Sequence, residues 1–346
     1  MSFYTNVCRY GNTILYRGYN AHAKKIYKRD TEFKPVFYVE SKTQSQWKSL
    51  DGRNIAPLQM DSMRHAKEWL ETNKDVAGRA IFGNHKYLQQ YISQRFPRDI
   101  DFKRDWIDVG TFDIETEYDD GFPEPAEASQ RILSITYKSS KSKKYHVWGY
   151  GDFNIENSLI QPVQYYRCRD EASLLTKFLE FWSDPDKTPD VVTGWNIRFF
   201  DIPYLINRTS RILGVDACKQ FSPWKMIDHR EITRRGKSSI AYDIKGIEQL
   251  DYLELFQKFG YSYGAQESYA LNHIAYVVLG ERKLSFEEAG NLKNLYKEDF
   301  QRYIDYNMKD VELIERLEDK MGLLTLAMTV AYKGGVNYSD TFGVTN

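Results

Sequence analysis

Cysteine is scarce in this chain: Cys8, Cys168 and Cys218 are the only three in 346 residues. Odd in number and widely spaced, they exclude a disulfide framework and a Cys-rich zinc site and suit a reducing compartment. Long apolar runs are missing as well. No stretch approaches the roughly 18 residues of a membrane span, and Met1-Ser2-Phe3-Tyr4 starts no signal peptide, so a soluble, intracellular chain with no membrane partner is expected. Net charge is also absent. With 48 basic against 48 acidic residues there is no global field to attract a polyanion, and any nucleic-acid site has to be local. What is present is ample core: 42% hydrophobic and 15% aromatic residues describe a globular chain and not a disordered one. The length exceeds one typical domain, so two domains, or one with a sizeable appendage, are expected.

The stretch that organises the chain is Val109-Gly110-Thr111-Phe112-Asp113-Ile114-Glu115-Thr116. Its alternation, read as a strand, puts Asp113 and Glu115 on one face and Phe112 and Ile114 on the other. Two like charges on one buried face repel and resist desolvation, so something positive must hold them, and a divalent metal is the simplest answer.

Residues 1–107 read as a small α+β unit. Strands over 3–10 and 13–19 turn at Gly11-Asn12, a further strand covers 33–39, and a helix over 61–73 carries Met63, Ala66, Trp69 and Leu70 at helical spacing. Basic and aromatic residues interleave through Tyr16, Arg17, Tyr19, Lys24, Lys25, Tyr27, Lys28 and Arg29. A solvated strand edge accounts for them most simply, with a nucleic-acid contact surface as the alternative. Phe96-Pro97-Arg98-Asp99 marks the boundary.

Beyond the central strand, 131–137 and 144–148 read as strands joined by a lysine-rich tip, and 171–182 as an amphipathic helix with Leu174, Leu175, Phe178 and Leu179 inward. A second buried strand over 190–196 ends in a loop leading to Asp201-Ile202-Pro203-Tyr204. Pro203 in the first turn marks a helix start, so a simple helix cap is the alternative reading of Asp201. Residues 229–245 form two polar strands about Arg234-Arg235-Gly236-Lys237-Ser238, a basic hairpin with no apolar reason to pack. Strand and helix signals with Asp251 follow over 247–259, and 269–279 reads as a helix.

On a helix over 303–314, Tyr306 and Asp310 share a face with Tyr303 and Ile314, while Asp305, Lys309 and Glu312 are expected off that face and solvated. Each short motif is weak by itself; their ordered occurrence at a strand, a strand-to-helix loop and a late helix is strong. Asp113, Glu115, Asp201 and Asp310 offer oxygen alone, with no His or Cys in the pattern, which favours Mg2+ or Mn2+ over zinc. Two such ions roughly 3.5–4 Å apart activate water and stabilise a leaving phosphodiester oxygen. Tyr306 would orient the water or the scissile phosphate. Asn196 reads either as a support for the ligands or as a satisfied buried amide.

Asp113-Ile114-Glu115, Asn196-Ile197-Arg198-Phe199-Phe200-Asp201 and Tyr306-Asn307-Met308-Lys309-Asp310 resemble the three exonuclease motifs of family B DNA polymerases of the DEDDy proofreading type. Asp120-Gly121-Phe122-Pro123-Glu124-Pro125, Gly194-Trp195-Asn196 and Phe33-Lys34-Pro35 resemble the T-even-type phage group of that family, so the likeness covers nearly the whole chain. The resemblance implies an α/β (α+β) fold: an RNase H-like exonuclease domain over 108–313, a smaller amino-terminal domain over 1–107, and a helix and linker over 314–346 that return to the amino-terminal domain and lead to a polymerase palm. It implies a protruding hairpin over 231–245 that helps part primer from template, and Phe122 against the frayed end. Phe200 and Asn196 would also meet substrate, and Lys283, or Arg282 beside it, would lie near the scissile phosphate.

The family's polymerase motifs are not found here. Tyr338-Ser339-Asp340-Thr341-Phe342 only echoes one of them, with Phe342 where a metal-binding Asp is needed. The expectation is therefore a 3′-to-5′ exonuclease acting on single-stranded DNA or a primer 3′ end in the cytoplasm of an infected bacterial host. It would be either a truncated fragment or the amino-terminal piece of a split polymerase whose partner is a separate polymerase chain. The rivals are a noncatalytic RNA-binding repressor and a docking subunit. Metal-dependent release of mononucleotides separates the nuclease from both.

Overall fold

A computed structural model describes residues 2–76, 78–117, 123–234, 237–284 and 292–343, which divide into two compact units, Met1–Phe102 with Val330–Asp340 and Lys103–Thr329 with Thr341–Asn346. Among the described residues no helix is long and apolar enough to cross a membrane.

In the first unit β1 (Phe3–Tyr10) and β2 (Thr13–Tyr19) pair across Gly11, whose φ of 57° is the left-handed conformation such a tight turn requires, and β3 (Lys25–Asp30) pairs on the other side of β2. Because β2 is the middle strand, Tyr16, Arg17 and Tyr19 are buried, and the Arg17 guanidinium lies over the Tyr27 ring at 5.3 Å. The interleaved basic and aromatic run is therefore not one solvated edge: only its later part, with Lys24, Tyr27, Lys28 and Arg29, is exposed. A second sheet has the order β5 (Trp47–Lys48), β6 (Asn54–Gln59), β4 (Val36–Glu40), β7 (Ile81–Phe82). The strand expected over 33–39 starts only at Val36, because Pro35 has no N–H for the ladder; its carbonyl accepts from Met60 instead. Helix α1 (Met63–Asn73) is capped by Ser62, which accepts from the His65 N–H, and Trp69 stacks on Phe37 at 5.8 Å. Helix α2 (Tyr87–Arg95) completes the unit. The carboxyl-terminal stretch joins it by strand-like bonds: Asn337 accepts from the Val7 N–H at 2.9 Å and donates to the Val7 carbonyl at 2.7 Å.

The second unit is a mixed α/β layer structure around a six-stranded sheet. Its order is β11 (Val163–Arg167), β10 (Tyr145–Gly149), β9 (Ile132–Ser139), β8 (Val109–Thr116), β12 (Val191–Thr193), β15 (Glu248–Gln249). β9 runs antiparallel to both β8 and β10, whereas β12 runs parallel to β8. Phe112 and Ile114 enter one core with helices α3 (Glu171–Ser183) and α4 (Asp201–Leu213); Leu174, Leu175, Phe178 and Leu179 all belong to it. The opposite core, with Val147, Tyr303, Ile304 and Met308, lies under α9 (Phe300–Met321), which packs on β8, β9 and β10. The carboxylates of Asp113 and Glu115 thus face α9. Helices α5 (Val215–Cys218), α6 (Tyr252–Phe259), α7 (Leu271–Leu279) and α8 (Leu292–Glu298) surround this frame, and α10 (Leu323–Gly334) passes from the second unit into the first.

A separate two-stranded ribbon, β13 (Ile227–Arg234) and β14 (Lys237–Ile244), is the polar hairpin read from sequence; Arg235 and Gly236 at its tip fall outside the described residues. Its base is fastened by buried Ala241 and Ile244. A further expectation fails at this helix. Asp305 is buried, not solvated: its carboxylate accepts from the Ser158 hydroxyl at 2.7 Å and the Leu159 N–H at 3.2 Å. The loop over 154–160 covers a flank of α9 that helical periodicity alone leaves open to water.

Candidate active site

β8 delivers Asp113 and Glu115, and α9 delivers Asp310 from the layer above. Ligand oxygens of these three carboxylates all lie within 4.8 Å of one another. Asp201 is buried beside them but is not in that set. Its Oδ1 accepts the Ile114 N–H of β8 at 3.1 Å, and α4 starts at Asp201 itself after Phe200, with no side-chain cap. The simple capping role is therefore not the one Asp201 plays.

The loop from β12 to Asp201 has to run close to β8. The strand expected over 190–196 ends early, at Thr193, and Gly194 beyond it sits so near the Phe112 carbonyl and the Ile197 side chain that a Cβ there would lie 2.6 and 2.3 Å from them. Asn196 follows with φ of 65°, and its N–H and that of Arg198 both donate to Asp251, each at 3.0 Å. Asp251 also caps α6 by accepting from Leu253. One buried carboxylate thus fixes the turn that places Asp201. An Asp just before the apolar periodicity of 252–259 was a visible cap signal; its second task, across the loop, was not.

Lys283 reaches the same cluster. Its ammonium bonds Asp310 Oδ2 and stands 5.4 Å from the centre of the Tyr306 ring. Arg282 turns away and lies over Tyr276 at 4.5 Å, so of the two neighbours Lys283 is the one at the carboxylates. The Lys283 N–H donates to Asn272 Oδ1 at 2.9 Å, which ties this segment to α7. Phe200 is half-buried against Tyr204, with ring centroids 5.7 Å apart. Phe122 lies outside the described residues.

Asp113 and Glu115 are half-buried by surface area, yet their carboxyl groups are surrounded by protein, and burial is the first reason that all four acids are pushed up. Glu115 is pushed to about 8 by burial and then by Asp310; Asp201 to about 7 by burial, with Asp251 adding to it. Asp113 is driven well above the usual carboxylate range by burial, Asp201 and Asp310. Asp310 is raised by burial and held back by Lys283. Such a cluster is unstable as anions without added positive charge. Asp310 Oδ1 is buried and has no hydrogen-bond partner among the described residues, which leaves it open to a ligand. An all-oxygen set with an unsatisfied oxygen fits a divalent cation.

Lys283 compensates part of this charge, so Lys283→Met is expected to destabilise the cation-free protein by roughly 3 kcal/mol, the cost of leaving a buried charge without its partner. Thermal melts in chelator at pH 8 measure it. An unchanged melting temperature would show that the ammonium is not buried with Asp310.

Fold and site define a class: a mixed α/β domain with a carboxylate cluster built for a divalent cation. Residues 68–274 match the exonuclease domain of DNA polymerase family B, and the chain belongs to that family. It is 28% identical to the DNA-directed DNA polymerase of Enterobacteria phage T4 over 97% of its own length and 39% of that protein. It is 29% identical to that of Escherichia phage RB69 over 98% of its length and 39% of the relative. Similarity to the DNA polymerase delta catalytic subunit of Candida albicans, at 33% identity, covers 66% of this chain and 22% of that one. The chain spans 39% of the length of the phage polymerases it matches. The family match contains Asp113, Glu115 and Asp201 and ends before Lys283, Tyr306 and Asp310, which the similarity to the phage proteins spans. Membership of this nuclease family implies use of a divalent metal.

Proposed function

We propose that this chain is a 3′-to-5′ exodeoxyribonuclease acting on single-stranded or frayed DNA ends, the proofreading part of a family B replicative polymerase, with an RNase H-like domain of the DEDDy type. The observation that carries the reading is the meeting of Asp113, Glu115 and Asp310 around an unpartnered Asp310 oxygen. The carboxylate-bearing strand at the centre of a mixed sheet supports the fold assignment. Two magnesium or manganese ions, held by Asp113, Glu115, Asp201 and Asp310, would supply activation of water and stabilisation of the departing phosphodiester oxygen.

The other residues have tasks that follow from their chemistry. Burial and Asp310 raise the pKa of the Tyr306 phenol, so it keeps its proton at neutral pH and donates a hydrogen bond to the attacking water or a phosphate oxygen. Lys283 stays cationic because the charge of Asp310 outweighs its burial, and it offers positive charge to a phosphate at the cluster. Phe200 and Asn196, on the turn before Asp201, and Phe122 would contact the terminal nucleotides in this reading. If the polymerase domain is carried by a separate chain, that chain is the partner this reading proposes.

The test is incubation of the purified chain with a 5′-labelled single-stranded DNA oligonucleotide, with Mg2+ or with chelator, and with an RNA oligonucleotide alongside. A Mg2+-dependent ladder shortening from the 3′ end is expected. Oligonucleotide bound but left intact in Mg2+ would overturn the nuclease reading in favour of a binding module.

A further inference from the structure

We propose that Asn307 is a positioning residue that fixes which oxygen of Asp113 is free to meet the cation. The inference rests on the metal site proposed above and goes beyond it to a residue that site does not include.

Asn307 is fully buried on α9, between Tyr306 and Asp310. Its amide Nδ2 donates to Asp113 Oδ2 at 2.7 Å. Its carbonyl Oδ1 accepts from the Thr136 hydroxyl at 2.7 Å and the Ser134 hydroxyl at 3.1 Å. Thr136 and Ser134 are not arbitrary neighbours: in the β8–β9 ladder they lie directly opposite Asp113 and Glu115. A bulge just beyond Glu115 puts the next pairing at Thr116 with Ile132 and leaves Leu133 as the extra residue.

With Asp113 ionised, as a cation ligand must be, the chemistry permits one orientation of this amide. Reversed, it would present its carbonyl oxygen to an ionised carboxylate, two acceptors with no hydrogen between them in a buried site. As placed, the amide hydrogen commits Asp113 Oδ2 and leaves Oδ1 for a cation, while the two hydroxyls keep the amide from rotating. The same bond ties α9 to β8, so the helix bearing Asp310 and the strand bearing Asp113 are held in one relation. Partners that orient a metal ligand in this way typically change metal affinity or activity 10–100-fold when removed. A purely structural bridge between helix and sheet would instead affect stability alone.

The discriminating experiment is Mn2+ binding followed by electron paramagnetic resonance, on the wild type and on Asn307→Leu, which keeps the volume and removes the donor. Asp310→Ala, expected to lose the binding, locates the signal at the cluster. Asn307→Leu should weaken Mn2+ binding roughly 10–100-fold and raise by the same factor the Mg2+ concentration for half-maximal DNA shortening, with the KM for oligonucleotide unchanged. Thr136→Val, which leaves Asn307 in place, should weaken Mn2+ binding less, and the double variant should fall no further than Asn307→Leu alone, since the hydroxyl acts through the amide. If Asn307→Leu fails to fold, Thr136→Val decides by itself, binding within twofold of the wild type being the overturning result. Mn2+ affinity unchanged in Asn307→Leu, with only the melting temperature in chelator lowered, would likewise overturn the proposal. Wild-type protein that binds Mn2+ at the cluster but leaves DNA intact would sink the nuclease reading while the binding arm still tests Asn307.

Discussion

Asp113→Asn is expected to lower Mg2+-dependent shortening of DNA by about 10³-fold or more and, at pH 8 in chelator, to raise the melting temperature. The loss follows from removing a ligand whose cation contributes several kcal/mol to the transition state, each 1.36 kcal/mol being tenfold in rate. The gain follows from the cluster itself. Asp113 is surrounded by Asp201, Asp310 and Glu115 in a buried site, and these are the groups that raise its pKa after burial. An uncharged, nearly isosteric amide removes that repulsion. At pH 5, below the values of about 8 for Glu115 and about 7 for Asp201, protonation of the cluster already relieves the repulsion, and the stabilisation should be much smaller. Initial rates on a labelled oligonucleotide and melts at the two pH values measure both effects. A variant that keeps wild-type activity would remove Asp113 from the site, and one that is equally destabilised at both pH values would show Asp113 to be a packing residue.

In chelator the wild-type protein is expected to lose stability as pH rises from 6 to 8.5, and Mg2+ is expected to restore it. The sign follows from the direction of the shifts. Glu115, at about 8, and Asp201, at about 7, are raised above their ordinary values, so the folded chain holds protons that the unfolded chain has released. That contribution is complete below the unfolded carboxylate range near pH 4 and is lost as pH passes through 7 and 8. A cation binds the deprotonated carboxylates and is therefore favoured by the same rise in pH. The increase in melting temperature on adding saturating Mg2+ should thus be larger at pH 8.5 than at pH 6 by several degrees, each kcal/mol being about 2–4 °C for a domain of this size. An increment equal at both pH values, or larger at pH 6, would mean that these carboxylates are not the groups that receive the ion.

Much of this site could be read in advance where one local period decides the matter. Strand alternation is enough to put Asp113 and Glu115 on one face, because successive side chains of a strand must point to opposite sides. Helical spacing likewise groups Tyr303, Tyr306, Asp310 and Ile314. The same stripe also contains Asn307, four residues after Tyr303 and three before Asp310, and a polar residue on an inward stripe was its one visible signal. Asp305 shows the limit of that reasoning, since the residue is buried by a loop from elsewhere in the chain. Lys283 and Arg282 show another: adjacent cations have no local feature to separate them, and only their partners, Asp310 and Tyr276, do so.

By itself the sequence determined the two carboxylates on one strand face, the oxygen-only donor set, and a buried helical stripe carrying a phenol and an acid. Tertiary structure alone decided that this stripe lies over that strand, that Asp201 bonds β8 rather than capping its own helix, and that Asp251 holds the turn before it. It alone placed Thr136 against Asn307, 171 positions along the chain. The physical reason is that periodicity reports which way a side chain points, whereas a hydrogen bond across a core depends on which elements are stacked, and no local pattern encodes the partner.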